Sequence, residues 1–169
     1  MRITHLGHSC ILVEAAGQRI LVDPGNLSQS WRGLTDLDAI LVTHRHPDHV
    51  DPEHIGALVD ANSGAVVRAE EGACHEIPAL DADPVAPGDV LQIGEVRIEA
   101  VGGHHAVIHR DLEPIGNVGN LIGEGLGTIL YHPGDELDET PRGVDAVSYT
   151  HLRAHETKAN LVCRLLLEK

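Results

Sequence analysis

The 169-residue chain carries 12 Lys and Arg against 26 Asp and Glu, for a formal net charge of −14. That length suits one domain with its own core, and so few cations argue against a nucleic-acid partner or an anionic-membrane surface. Three scattered cysteines, Cys10, Cys74 and Cys163, are too few for a disulfide framework and fit a reducing compartment. Cys10, inside an apolar run, reads as a small core residue. The sequence shows no charged-then-apolar leader and no apolar run of membrane-spanning length, so a cytoplasmic protein is expected.

In chain order, residues 2–5 and 9–14 read as short strands broken at Gly7, and Ala16-Gly17-Gln18 as the hairpin turn into residues 19–22. Asp23-Pro24-Gly25-Asn26 ends that strand. Asp23 is either a turn carboxylate accepting backbone N–H groups or a residue that orients a ligand histidine from behind. His5 and His8, close to Gly7, read as structural, although His8 could also face a substrate. Residues 27–37 form a loop or short helix with the only tryptophan, Trp31, which suits either a core or a pocket wall.

The apolar run Ala39-Ile40-Leu41-Val42 reads as a buried strand and leads into Thr43-His44-Arg45-His46-Pro47-Asp48-His49. His44 and His46, two apart on extended backbone, can point to one side. Pro47 cannot continue a ladder, so the chain turns there and Asp48 and His49 leave in another direction. One loop therefore offers two ligands to one cation and two to a neighbour. Imidazole with carboxylate suits Zn²⁺, and also Mn²⁺ or Fe²⁺. The order His-x-His-x-Asp-His is more specific than a solvated, His-rich turn. With Gly7-His8-Ser9 and Leu21-Val22-Asp23-Pro24 it resembles the metallo-β-lactamase fold, in the branch of metal-dependent hydrolases that includes the ascorbate-6-phosphate lactonase-like proteins. The resemblance runs from Met1 to about Ala146. It implies an α/β fold, an αββα sandwich of the metallo-β-lactamase type, C-terminally incomplete in this chain; closely spaced antiparallel strands are its usual opening.

After the motif, Asp51-Pro52-Glu53 reads as an N-cap, a first-turn proline and an acidic first turn, predicting a helix to about Asp60 with Ile55, Leu58 and Val59 inward. Residues 65–68 read as a strand, 71–77 as a short helix with His75 on the surface, and 90–93 and 96–101 as strands. The last of these runs into Gly102-Gly103-His104-His105-Ala106, placed to deliver a ligand at the same sheet edge. His109 is a ligand, a substrate contact or a solvated loop residue. Residues 117–122 and 128–131 read as a strand pair turning at 123–125. The second ends at His132-Pro133-Gly134-Asp135, and residues 141–146 start another strand.

The resemblance selects His105 over His104, because the related sequences place the ligand before an alanine and an apolar pair. It also implies that Asp135 bridges two cations. The implied site is a binuclear centre with His44, His46 and His105 on one cation, Asp48 and His49 on the other, and Asp135 between them. Asp48 and Asp135 are the residues expected to carry catalysis. Two divalent cations, Zn²⁺ before Mn²⁺ or Fe²⁺, would deprotonate a shared water near neutral pH. That hydroxide would attack an ester, lactone, amide or phosphoester of a small-molecule substrate. Related proteins supply a last histidine from a later strand, so the rival expectation is a metal-binding but catalytically incomplete fragment. A nuclease, a third reading, would need a basic phosphate track.

Residues 147–157 resemble one reading frame of a transposase-type sequencing adaptor, and residues 160–169 that of an outer adaptor running into a run of A. The expected organisation is therefore a hydrolase domain over residues 1–146 and a non-native tail over 147–169, set aside from fold reasoning as a fusion scar is. His151, near the expected position of the last histidine, falls in that tail.

Overall fold

Alternation along three central strands decides the layering. In β2 (Cys10–Ala15), β3 (Gln18–Val22) and β4 (Ala39–Val42), successive side chains leave opposite faces of one sheet. Cys10, Leu12, Leu21, Ile40 and Val42 bury one face under helices, while Ile11, Val13, Ile20, Val22 and Leu41 bury the other against a second sheet. Strands covered on both sides read as near-continuous apolar runs, which is why residues 39–42 carry no polar position. The computed structural model describes residues 1–107, 109–136 and 141–148.

The first sheet also contains β1 (Arg2–Gly7), β5 (Val66–Glu70) and β6 (Asp83–Val85), in the order β1-β2-β3-β4-β5-β6. It is antiparallel from β1 to β3 and parallel from β3 to β6. The second sheet comprises β7 (Val90–Ile93), β8 (Val96–Gly102), β9 (Val118–Glu124), β10 (Ile129–His132) and β11 (Ala146–Val147). β7 to β10 are antiparallel neighbours, and β11 adds in parallel to β10. Helices α1 (Ile55–Ala61) and α2 (Glu71–Glu76) and a 3₁₀ turn at Pro78–Leu80 contribute Ile55, Leu58, Ala73 and Leu80 to the core outside the first sheet. These are the helix, sheet and sheet layers of the expected αββα sandwich; among the described residues no helix lies on the far face of the second sheet.

Several boundaries differ from the sequence reading. Regular helix starts at Ile55, after turns that begin at Asp51. Asp51 still organises that start: its carboxylate accepts from Glu53 N at 3.0 Å and its carbonyl from Ile55 N at 3.0 Å. The same carboxylate also binds Arg32 and His54, each at 2.9 Å, so it serves a cross-chain junction as well as a cap. β9 extends to Glu124, which moves its turn to Gly125 and beyond. β6 and the 3₁₀ turn had no sequence signal, since a three-residue edge strand containing Pro84 has no period to read. Trp31 is core: it is 1% exposed, and its ring N–H donates to the Gly25 carbonyl at 2.9 Å. β11 crosses the expected boundary at Ala146, with Val147 opposite Tyr131 and Ser148 N donating to Tyr131 O at 2.8 Å. His151 and the Leu165-Leu166-Leu167 run lie outside the described residues.

Candidate metal centre

β3 and β4 run in parallel, and β8 and β10 both run antiparallel to β9, so each pair ends on one side. The segments after those strands are the loops that carry the histidines. Backbone bonds join the first two: Asn26 N donates to Pro47 O at 2.8 Å and Asp51 N to Pro24 O at 3.0 Å. Gly25 is required at this contact, because a Cβ there would fall 1.8 Å from the Asp48 carbonyl oxygen. Across the sandwich, Val118 N donates to Thr43 O at 2.9 Å and ties the second sheet to the metal loop.

Two groups of ligand-type atoms result. His44, His46, His105 and Asp135 form one, and His8, Asp48 and His49 the other; within each group the atoms lie within 4.8 Å of one another. The ring of His44 lies 4.8 Å from those of both His46 and His105, and 4.0 Å from that of His49. Asp135 stands between the groups. Its Oδ2 is 3.2 Å from His105 Nε2 and 4.0 Å from His44 Nε2, while its Oδ1 is 3.3 Å from His49 Nε2. His104 is exposed and His105 buried in the cluster. His75 is exposed, and His109, also exposed, sits beside Asp111 in its loop. All six residues expected to hold cations are therefore gathered, from 92 positions of sequence, between His44 and Asp135.

Behind the cluster, Asp23 is fully buried with φ 50°. It accepts from Thr43 N, Thr43 Oγ1, His49 Nδ1 and His132 Nε2 at 2.7–2.8 Å. The carboxylate thus orients a histidine from behind rather than closing a local turn. Bonding His49 through Nδ1 leaves its Nε2 to face Asp135. His105 Nδ1 likewise donates to Ala106 O at 2.6 Å. Thr43 Oγ1, having given its proton to Asp23, can accept from His44 Nδ1 at 3.0 Å. In each of these three histidines one nitrogen is held by the protein and Nε2 is directed inward, the arrangement by which outer partners orient metal ligands. The Asp135 loop is fixed similarly, since Asn117 donates to Pro133 O at 2.8 Å and accepts from Asp135 N at 3.0 Å.

These residues fit divalent cations. His49 Nε2 and His105 Nε2 are buried without a hydrogen-bond partner although Asp135 oxygens approach to 3.3 and 3.2 Å, so the approach is not in line for hydrogen bonding. Nitrogen and oxygen donors facing a common space in this way suit a cation between them. For His44, His46 and Asp135 the electrostatics agree, whereas His49 and His105 are raised in the metal-free chain and must give up protons to bind. Burial, reinforced by the charge of His49, pushes His44 down to about 3, so its nitrogen is free of a proton near neutral pH. Burial also depresses His46. Burial opposes a charged Asp135, but His105 and His49 outweigh it and hold the group below the usual carboxylate range. At His49 burial is outweighed by Asp23 and Asp135, which raise the imidazole to about 10.

Sequence reading missed Thr43 and His132 as parts of this centre and left His8 mainly structural. His132 had a signal in its place within His132-Pro133-Gly134-Asp135, three residues before a predicted ligand. Thr43 had none beyond adjacency to His44.

The family profile described as "Beta-lactamase superfamily domain" matches residues 2–148. Protein Rv0786c of Mycobacterium tuberculosis is 39% identical over 152 residues, covering 88% of this chain and 70% of that protein. A "UPF0173 metal-dependent hydrolase" of Flavobacterium johnsoniae is 30% identical over 141 residues, covering 80% of this chain and 62% of the relative. A crystal structure of a candidate metal-dependent hydrolase from Parabacteroides distasonis superposes with a TM-score of 0.70 at 25% identity, covering 86% of this chain and 67% of that one.

Proposed function

This chain belongs to the beta-lactamase superfamily domain family, and we propose that it is a metal-dependent hydrolase working with two divalent cations on a small-molecule ester, lactone, amide or phosphoester. The observation that carries the two-cation reading is the orientation of Asp135, whose Oδ2 faces His105 and His44 while its Oδ1 faces His49. A carboxylate so placed can give one oxygen to each neighbour. His44, His46 and His105 would hold one cation and Asp48 and His49 the other. When bound, such cations lower the pKa of a coordinated water to about 7 and polarise a carbonyl or phosphoryl oxygen; Zn²⁺ suits this donor set, and Mn²⁺ or Fe²⁺ can replace it.

The protein's own part is positional. Asp23 holds the Nδ1 proton of His49, and the Ala106 carbonyl holds that of His105, so neither ring can turn its Nε2 away. Asn117 keeps Asp135 aimed by bonding the backbone on either side of Gly134. Ser9 Oγ donates to Asp48 O at 3.1 Å and secures the metal loop from the first hairpin. No serine or cysteine nucleophile is required. Cys10 is fully buried, and burial together with the charge of Asp23 raises its thiol, which makes it a poor nucleophile. Among the described residues no helix is long and apolar enough to cross a membrane. The strong net negative charge of −14 favours a small substrate over nucleic acid.

The test is turnover of lactone, thioester and phosphodiester panels by chain stripped of metal, then reloaded with Zn²⁺ or Mn²⁺. Hydrolysis should require the metal and should fall by at least about 100-fold in Asp135→Asn, the order expected when a group acting on transition-state charge is lost. Undiminished turnover by metal-free chain would rule the mechanism out.

A further inference from the structure

We propose that His8 is a protein ligand of the second cation, completing a donor set with Asp48, His49 and one oxygen of Asp135. This rests on the two-cation reading above. His8 lies in the turn between β1 and β2, 36 positions before the first histidine of the metal loop. Its Nε2 is 2.8 Å from Asp48 Oδ2, and His49 Nε2 is 3.8 Å from the same oxygen and 3.3 Å from Asp135 Oδ1. Donor atoms sharing one tetrahedral Zn²⁺ with bonds of about 2.0–2.2 Å stand roughly 3.4 Å apart. The three separations bracket that spacing. His49 Nε2 is buried and without a hydrogen-bond partner, so the group already contains one nitrogen aimed at an unfilled role.

The backbone turns His8 toward the loop. Gly7 has φ 119° and His8 φ 49°. This left-handed conformation is uncommon for a residue with a side chain and persists only where surroundings enforce it. His5 Nε2 donates to the His8 carbonyl at 2.7 Å, and Ser9 Oγ binds Asp48 O, so the turn is anchored on both sides of His8. A hairpin with no further role would be served by Gly or Asn here. The side chain is 18% exposed, enough to open on solvent and on a substrate entering beside the cation.

The experiment uses the whole 169-residue chain, wild type and His8→Gln, stripped with chelator and titrated with Zn²⁺. Glutamine keeps an N–H that can donate to Asp48 but is a poor ligand. Wild type should bind two cations. His8→Gln should keep the first and lose more than about 100-fold in affinity for the second, beyond the roughly 10–100-fold that loss of an outer hydrogen bond costs. A smaller loss overturns the inference and leaves His8 as an outer partner of Asp48. Fewer than two cations in wild type overturns the two-cation reading itself. Should His8→Gln not fold, the wild-type chain loaded with cadmium decides: scalar coupling between cadmium and His8 Nε2 requires a direct bond, and its absence overturns the assignment.

Discussion

Asp23 joins three strands through one carboxylate. Two imidazoles, a hydroxyl and a backbone N–H converge on it in a place that is fully buried. Removing one partner of such a buried charged set costs about 3–5 kcal/mol, because the other partners stay buried and uncompensated. Asp23→Asn should therefore lower unfolding free energy by about that amount in denaturant titrations of metal-free protein, and weaken Zn²⁺ binding by about 10–100-fold. The sign of the pH dependence follows from the same contacts. Burial works against a charged Asp23, yet His49 and His132 outweigh it and depress the group, so its contribution is present above about pH 4 and is lost as pH falls. His49 is raised to about 10, so its contribution is complete below about pH 6.5 and fades as pH climbs toward 10. Metal-free wild type should lose stability on both sides of the window from about pH 4 to 6.5, and Asp23→Asn should flatten that profile. An unchanged profile would show that the cluster does not carry it.

Loops, not strands, hold the donors, so the elements matter through how their ends are fastened. The loop after β3 lies directly against the metal loop after β4, with Gly25 at the contact. An alanine there must displace backbone, since its Cβ would meet the carbonyl carbon and oxygen of Asp48 at 2.1 and 1.8 Å. Gly25→Ala should abolish cation binding or folding. Gly64→Ala, at a glycine with nothing within 4 Å of its Cβ position, should leave both unchanged, as calorimetry and thermal melts can compare. Asn117 does for the β10 loop what Gly25 does for the β4 loop, by bonding instead of by yielding space. Asn117→Ala leaves Asp135 N and Pro133 O unpaired and should cost about 1–3 kcal/mol.

The centre lies at the ends of strands from both sheets, so a cation bound there bridges the sandwich. Loading at a free concentration about 100 times Kd adds about 2.7 kcal/mol per site, a rise of roughly 5–10 °C in thermal midpoint for a domain of this size. Chelator should reverse that rise, and equal midpoints with and without metal would place the binding elsewhere. Because the histidine ligands must give up protons and His49 is raised to about 10 in the metal-free chain, affinity should fall as pH drops below about 10. We also propose that the hydrolase domain covers residues 1–146 and that residues 147–169 were not selected to pack against it. Replacing them with the genomic continuation should raise soluble yield and thermal midpoint, whereas deleting them should not. Equal behaviour of the chain as it stands would assign the tail to the fold.

Short-range features carried far. His44, His46, Asp48 and His49 are neighbours in sequence, so a strand followed by a proline turn gathers them whatever the rest of the chain does. The apolar runs within β2 to β4 marked the centre of the sandwich because strand segments covered on both faces carry few polar positions, and β4 carries none. Sequence periodicity is silent on edges and on long-range partners. It gave no sign of β6, and it left Asp23 open between two roles because the residues that decide it, His49 and His132, lie 26 and 109 positions away. The same holds for His8. Its distance of 40 positions from Asp48 is closed only when the β1–β2 hairpin pairs with β3 and β3 with β4. A local pattern specifies which side chains leave a strand together; which loops meet is decided by strand order and sheet packing, and those exist only in the folded chain.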